Sequence, residues 1–279
     1  MAARRSLIFV PGTRPDRFEK ALAAKSDLVC VDLEDAVPPG GKRNGRRVAV
    51  SWLSEGRQGP ERVVRINSLK TVDGLRDLTS IAEAAPADGV VLLPKVDGPE
   101  ELAIAEAILV ESGSGSRLGA LVESVDGLEH VQAIATASSR LEFLLFGAVD
   151  LAAELGCDLC QASLMYARSR IVHAARKAGI AAFDAPSLDF RNLEALEEEA
   201  RMAKSLGFSG KAVLHPDNVP VVNSVFSPTP EEVANARRVV DAFSDSSTGL
   251  VVIDGRLVEK PVLRKMEQIL EAAEAACVG

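Results

Sequence analysis

The stretch GVVLLPKVDGPEELAIAEAILVESGSGSRLGALVE, from Gly89 to Glu123, decides the fold. It opens on an apolar run, Gly89–Pro94, and closes on a second, Leu118–Val122. Neither run alternates apolar with polar residues, which is how strands covered on both faces read. Between them Pro99–Glu111 carries Leu102, Ile104, Ala105, Ile108 and Leu109, the pattern of an amphipathic helix. Gly-rich Ser112–Arg117 stops that helix and leads into the next strand. Two strands joined by a helix of this length pair in parallel.

The same unit recurs outward in both directions. Apolar runs stand at Leu7–Pro11, Leu28–Leu33, Val63–Ile66, Leu141–Phe146, Ile180–Phe183 and Lys211–Leu214, with helix-like segments between them. Eight strand–helix units in series predict an α/β chain folded as a closed (β/α)8 TIM barrel, and 279 residues accommodate one such barrel with an extension. Beyond the eighth run, Thr229–Phe243 reads as a helix introduced by Pro228 and Pro230, a polar break covers Ser244–Gly249, and Leu250–Glu259 with Pro261–Ala276 forms a small strand-and-helix tail. The expected organisation is therefore a catalytic barrel over residues 1–228 and a C-terminal helical extension over 229–279. That extension is surplus to a minimal barrel, so it is expected to cover the site as a lid or to contact another subunit.

A formal net charge of −8 excludes a general nucleic-acid surface, because phosphate contacts require clustered Lys and Arg. An anionic ligand would need local cations instead. The apolar run before Pro11 and Gly12 is too short for a secretory signal, and nothing approaches a membrane span of about 20 apolar residues. A cytoplasmic protein with no membrane partner is expected. The cysteines Cys30, Cys157, Cys160 and Cys277 fit a reducing compartment; Cys157 and Cys160 have CxxC spacing, but no second pair or nearby His pair completes a metal site.

In barrel enzymes the reacting groups lie at the C-terminal ends of the strands. Those positions here hold Arg14, Asp32, Glu34, Asp35, Arg65, Asn67, Lys95, Glu123, Ser124, Asp150, Asp184 and His215. So many charges can share one mouth only if they are paired or metal-bound. Glu123 and Asp150, on adjacent strand ends, are the two carboxylates a Mg2+ site takes from a protein, although each alone also suits a helix cap or an ion pair. Arg14 and Arg65 offer guanidinium groups to a carboxylate substrate, with a bridge to Glu34 or Asp35 as the other reading of Arg65. Lys95 is a candidate imine-forming lysine, yet carboxylates around it would keep it protonated and make it an ion-pair partner. His215, before Pro216, reads either as a general base or as a hydrogen-bonded turn residue; His130 and His173 fall in helices and receive no role.

Taken in order, Phe9-Val-Pro-Gly-Thr-Arg-Pro15, Val31-Asp-Leu-Glu-Asp-Ala-Val37, Val64-Arg-Ile-Asn67, Leu93-Pro-Lys95, Glu123-Ser124, Phe146-Gly-Ala-Val-Asp-Leu151 and Gly210-Lys-Ala-Val-Leu-His-Pro216 resemble the citrate lyase β-subunit-like family of the HpcH/HpaI aldolases and acyl-CoA lyases. The resemblance implies that Glu123 and Asp150 bind Mg2+, that Arg65 holds substrate and steadies an enolate oxygen, and that Glu34 and Asp35 form an acidic surround. It also implies a CoA-like thioester over the mouth with Arg14, Lys20 and Lys95 as binding residues, and a homotrimer or hexamer in which the tail of one subunit lends an acid to the next. The family tail reads glycine, two or three residues, then aspartate before proline. This chain has Gly255-Arg-Leu-Val-Glu-Lys-Pro261, so Glu259 stands in the place of that aspartate. The expected reaction is a Claisen- or aldol-type carbon–carbon cleavage of a malyl-, citramalyl- or citryl-thioester to a keto acid, such as oxaloacetate, glyoxylate or pyruvate, and an acyl-CoA. The alternatives are a CoA-independent keto-acid aldolase and a metal- and oxaloacetate-binding homologue with little activity.

Overall fold

A computed structural model describes residues 3–55, 59–244, 251–253 and 256–277. Eight parallel strands close a barrel in chain order: β1 (Ser6–Pro11), β2 (Leu28–Asp32), β3 (Glu61–Arg65), β4 (Val90–Leu93), β5 (Arg117–Val122), β6 (Leu141–Phe146), β7 (Ala181–Asp184) and β8 (Gly210–Val213). Each coincides with an apolar run expected from sequence, because an apolar run without alternation is what a strand needs when the barrel interior covers one face and helices the other.

The helices around it are α1 (Phe18–Ala23), α2 (Lys42–Ser54), α3 (Val72–Ala84), α4 (Pro99–Glu111), α5 (Val125–Glu129), α6 (Val131–Ala135), α7 (Ala148–Leu155), α8 (Gln161–Ala178), α9 (Leu193–Leu206) and α10 (Asn218–Phe226). Their starts are written in the sequence. Thr71, Ser124 and Asn192 each accept a backbone N–H of the first turn of α3, α5 and α9 through a side-chain oxygen.

Every second residue of a strand points inward. Leu7, Cys30, Val63, Leu92, Leu121 and Phe183 belong to one buried cluster that fills the barrel, and Phe143 and Phe183 meet edge to face at 5.2 Å. Two consequences fix the mouth. Asp32 lies opposite Arg65 in the β2–β3 register, so both side chains close the top of the interior. Asp184 is one residue out of phase with inward-facing Phe183, and this corrects its placement among the mouth charges. It is wholly buried behind the barrel, with Arg168 Nε at 2.9 Å and Lys211 Nζ at 2.8 Å. A buried carboxylate there persists only because both cations reach it.

The chain divides into two units, Arg4–Asn223 and Ser224 onward. The second contains α11 (Pro230–Ser244), the antiparallel pair β9 (Val251–Ile253) and β10 (Arg256–Val258), and α12 (Lys260–Cys277), with a small core of Ala236, Val239, Val258 and Met266. The strand and helix read from the tail are thus present as a hairpin and a helix. Residues 245–250 of the polar break, and Gly255 of the tail motif, lie outside the described residues. Among the described residues no helix is long and apolar enough to cross a membrane. Cys157 and Cys160 are free thiols, half-buried and exposed.

Candidate active site at the barrel mouth

Arg65, ending β3, is the hub of the mouth. Its Nε and Nη2 each donate to one oxygen of Asp32 at 2.7 Å, a fork-to-fork pair. Nη1 lies 3.0 Å from Glu34 Oε2 and 3.8 Å from Asp35 Oδ2, and the guanidinium face rests over Phe9 at 5.0 Å. Burial works against its charge, but the Asp32 and Glu34 carboxylates more than offset this and hold Arg65 firmly protonated. Among the described residues, two of the five N–H donors of the guanidinium are committed in hydrogen bonds, and the Glu34 contact is an ion pair without hydrogen-bond geometry that leaves buried Glu34 Oε2 without a donor there.

The loop after β2 is built to present these acids. Asp32 accepts the backbone N–H of Glu34 at 2.9 Å and of Ala36 at 3.1 Å. Lys42 Nζ spends its three protons on the carbonyls of Leu33 and Glu34 and on Asn67 Oδ1, at 2.6–2.8 Å, stitching the loops after β2 and β3 together. The sequence reading missed Lys42, since only folding brings it to those carbonyls. Glu34 is 7% exposed, and burial, followed by the counteracting Arg65 charge and the Asp35 charge, leaves its carboxyl above the ordinary range. Lys95 Nζ pairs with Glu34 Oε1 at 3.3 Å; burial lowers its pKa, but the attraction of Glu34 prevails and keeps the ammonium charged. A charged amine is no imine-forming nucleophile.

Glu123 follows β5 and is 4% exposed, with Oε1 accepting the Lys95 backbone N–H at 2.8 Å. Burial, then the nearby Glu34 and Asp150 carboxylates, push its pKa up to about 8. Asp150 stands exposed in the first turn of α7, after Gly147. Gly147 is required by close approach: a Cβ there would come within 2.3 Å of Glu123 Cβ. A buried carboxylate whose neighbours are more carboxylates is short of positive charge, which is what a divalent cation supplies. Among the described residues no group of three or more His, Cys, Asp or Glu has metal-binding placement. Two carboxylates with open positions left to water and substrate oxygens suit Mg2+ rather than a closed structural site.

Two cavities meet at this point. One of about 850 Å3 runs from Arg14, Arg17 and Lys20 past Phe9 and Arg65 to Glu123 and Asp150, with His215 on its rim. The other, about 600 Å3, is lined by Ser68, Lys70, Thr71, Lys95 and Ser124, and shares Asp35, Glu123 and Asp150 with the first. The structure therefore brings Arg14, Lys20, Arg65, Asp35, Glu123 and Asp150 into one cavity, while Lys95 and Glu34 face the second. Arg17 was missed; its signal is the three-residue spacing Arg14, Arg17, Lys20. His215 accepts the Asp217 N–H at Nδ1 and stacks on Phe190 at 5.6 Å, as a turn imidazole does. Glu259, exposed before α12, accepts the N–H groups of Val262 and Leu263 through its main-chain carbonyl, which places the residue at the start of that helix.

Residues 5–216 match the family HpcH/HpaI aldolase/citrate lyase, which is most of the barrel. The chain belongs to this family. It is 32% identical to the citrate lyase subunit beta of Haemophilus influenzae over 99% of this chain and 98% of that one. It is 33% identical to a (3S)-malyl-CoA thioesterase of Cereibacter sphaeroides, covering 97% and 95%. The protein CitE from Mycobacterium tuberculosis, solved with magnesium, acetoacetate and coenzyme A, superposes with a TM-score of 0.81 at 33% identity over 98% of both chains.

The raised Glu123 carboxyl predicts a pH effect with a definite sign. In the unfolded chain it ionises near its ordinary 4.5 and in the folded chain near 8, so within that window the folded state holds a proton the unfolded state has lost. Its contribution to stability is present below that window and lost as pH rises through it, with a slope of at most about 1.4 kcal/mol per pH unit. Urea midpoints in EDTA should fall from pH 5 to pH 8, less steeply in Glu123→Gln. An equal decline in both would assign the effect to other groups.

Proposed function

We propose that this chain is a Mg2+-dependent carbon–carbon lyase that cleaves a 3-hydroxyacyl thioester, of the malyl-, citramalyl- or citryl-CoA kind, into a keto acid and an acyl thioester. The observation that carries the reading is buried Glu123 beside exposed Asp150, on the wall shared by two cavities, with Arg65 lining the larger one. The Mycobacterium protein that binds magnesium, acetoacetate and coenzyme A supports it through a fold shared end to end.

Glu123 and Asp150 hold the ion, which when bound supplies Lewis acidity at the keto-acid oxygens. Arg14, Arg17 and Lys20 meet the phosphates of the thioester carrier at the far end of the larger cavity. Arg65 has donors to spare beyond its Asp32 fork and offers them to the oxygen that gains charge as the carbon–carbon bond breaks, giving an enolate. Glu34 and Asp35 fix Arg65 and Lys95 from behind. Glu259 of a neighbouring subunit in a trimer or hexamer transfers the proton: as a carboxylate it takes the proton of the substrate 3-hydroxyl as the keto acid forms and returns it to the enolate carbon. Proton transfer of this kind contributes on the order of a hundredfold or more, so Glu259→Gln should lower kcat by about that factor while Glu259→Asp remains active.

The test is product analysis. Malyl-, citramalyl- and citryl-CoA are incubated with Mg2+ while keto acid and free thiol are followed separately. The lyase reading expects keto acid with acyl-CoA and no free thiol. Free thiol without keto acid would mean hydrolysis, as the name of the Cereibacter relative describes, and cleavage of a free hydroxy-keto acid offered in parallel, with the CoA thioesters left untouched, would mean a CoA-independent aldolase.

A further inference from the structure

Lys95 is one of three non-glycine residues with positive φ among the described residues, at φ +53°. Side chains seldom adopt this left-handed backbone, because Cβ crowds the neighbouring carbonyl oxygen, and it persists only where the surroundings impose it. The turn comes one residue after β4, beyond Pro94, and the Lys95 N–H donates to Glu123 Oε1 at 2.8 Å. On the other side of the residue, the Lys95 carbonyl accepts Lys70 Nζ at 3.2 Å. Both main-chain polar groups of Lys95 are thus engaged, while the ammonium is 3.3 Å from Glu34 Oε1. The opposite side of Glu123 is bounded by Gly147, whose missing Cβ would lie 2.7 Å from Oε2 as well as against Glu123 Cβ.

We infer that Lys95 is a positioning residue that acts on Glu123 through its main chain: the left-handed turn aims its amide at Oε1, Gly147 leaves room on the other side, and together they fix the direction in which the carboxylate meets the divalent ion. This rests on the reading of Glu123 as a metal ligand. A carboxylate with one oxygen tied to a rigid amide presents the other in a single orientation, and partners that orient a ligand are commonly worth 10–100-fold in metal affinity. The side chain of Lys95 is separable from this. Its positive charge competes with a cation for the same acids, so removing it does not weaken the site.

The experiment compares Lys95→Gly, Lys95→Asn and Lys95→Val, all lacking the ammonium and differing in how readily they adopt a left-handed turn. Mn2+ binding is measured directly by electron paramagnetic resonance, with thermal unfolding as the check on folding. Glycine and asparagine tolerate positive φ and a β-branched valine resists it. Lys95→Gly and Lys95→Asn should bind Mn2+ at least as tightly as the parent, whereas Lys95→Val should lose about tenfold or more. Gly147→Ala should show the same loss by displacing Glu123 from the other side, and it keeps the test decisive if the valine variant does not fold. A loss in Lys95→Gly equal to that in Lys95→Val would assign the effect to the ammonium and overturn the inference, as would parental affinity in both Lys95→Val and Gly147→Ala. Glu123→Ala is measured alongside: if it still binds Mn2+ like the parent, the metal reading itself has failed, and the two failures are distinguished.

Discussion

Replacing Glu123 with glutamine is expected to reduce Mg2+-dependent thioester cleavage by on the order of 1,000-fold, about 4 kcal/mol of transition-state stabilisation. The substitution keeps the shape of the side chain and an oxygen for the Lys95 amide, so the barrel has no reason to unfold. It removes a charge that the folded chain accommodates poorly, since burial and the neighbouring Glu34 and Asp150 carboxylates all oppose ionisation. Stability without metal should therefore be unchanged or higher at pH 8 even as activity collapses. Steady-state kinetics together with urea unfolding check both halves. Loss of stability in step with activity would mean that Glu123 is a structural acid.

Arg65→Met is expected to do the reverse and lower stability as well as activity. It strips the fork from Asp32 and the ion pair from Glu34, both nearly inaccessible, and leaving buried charges without a partner typically costs about 3–5 kcal/mol. The structural and chemical parts separate in a second variant. Adding Asp32→Asn to Arg65→Met removes one stranded charge and should recover part of the stability without restoring turnover. Arg65→Lys keeps the charge but loses the planar fork, and should fall between parent and Arg65→Met in both measurements. If the double variant regained turnover, Arg65 would be a structural bridge and nothing more.

The barrel was legible in the sequence because its strands are short apolar runs, and each run lies within a residue or two of a strand of the fold. Glu123 and Asp150 were legible for the same reason, as charges stranded just beyond such runs. Phase was harder. Asp184 ends β7 as a charge, and only the inward packing of Phe183 shows that it faces Arg168 of α8 and Lys211 of β8 instead of the mouth. Partnerships across the chain were not legible: Asp32 as the principal partner of Arg65 depends on strand register, and Lys42 on the approach of two loops. Ser124, noted for its place beside Glu123, caps α5 and bonds to Asp97. The left-handed turn at Lys95 has no sequence signature, because glycine is the residue that would have announced it.

The central claim is a single divalent ion held between Glu123 and Asp150. Equilibrium dialysis of the purified chain against Mn2+ at pH 8 tests it most directly, with Glu123→Ala and Asp150→Ala in parallel. The account predicts one ion per chain in the parent and a large loss of affinity in either variant. Undiminished binding in both would place the ion elsewhere and contradict it.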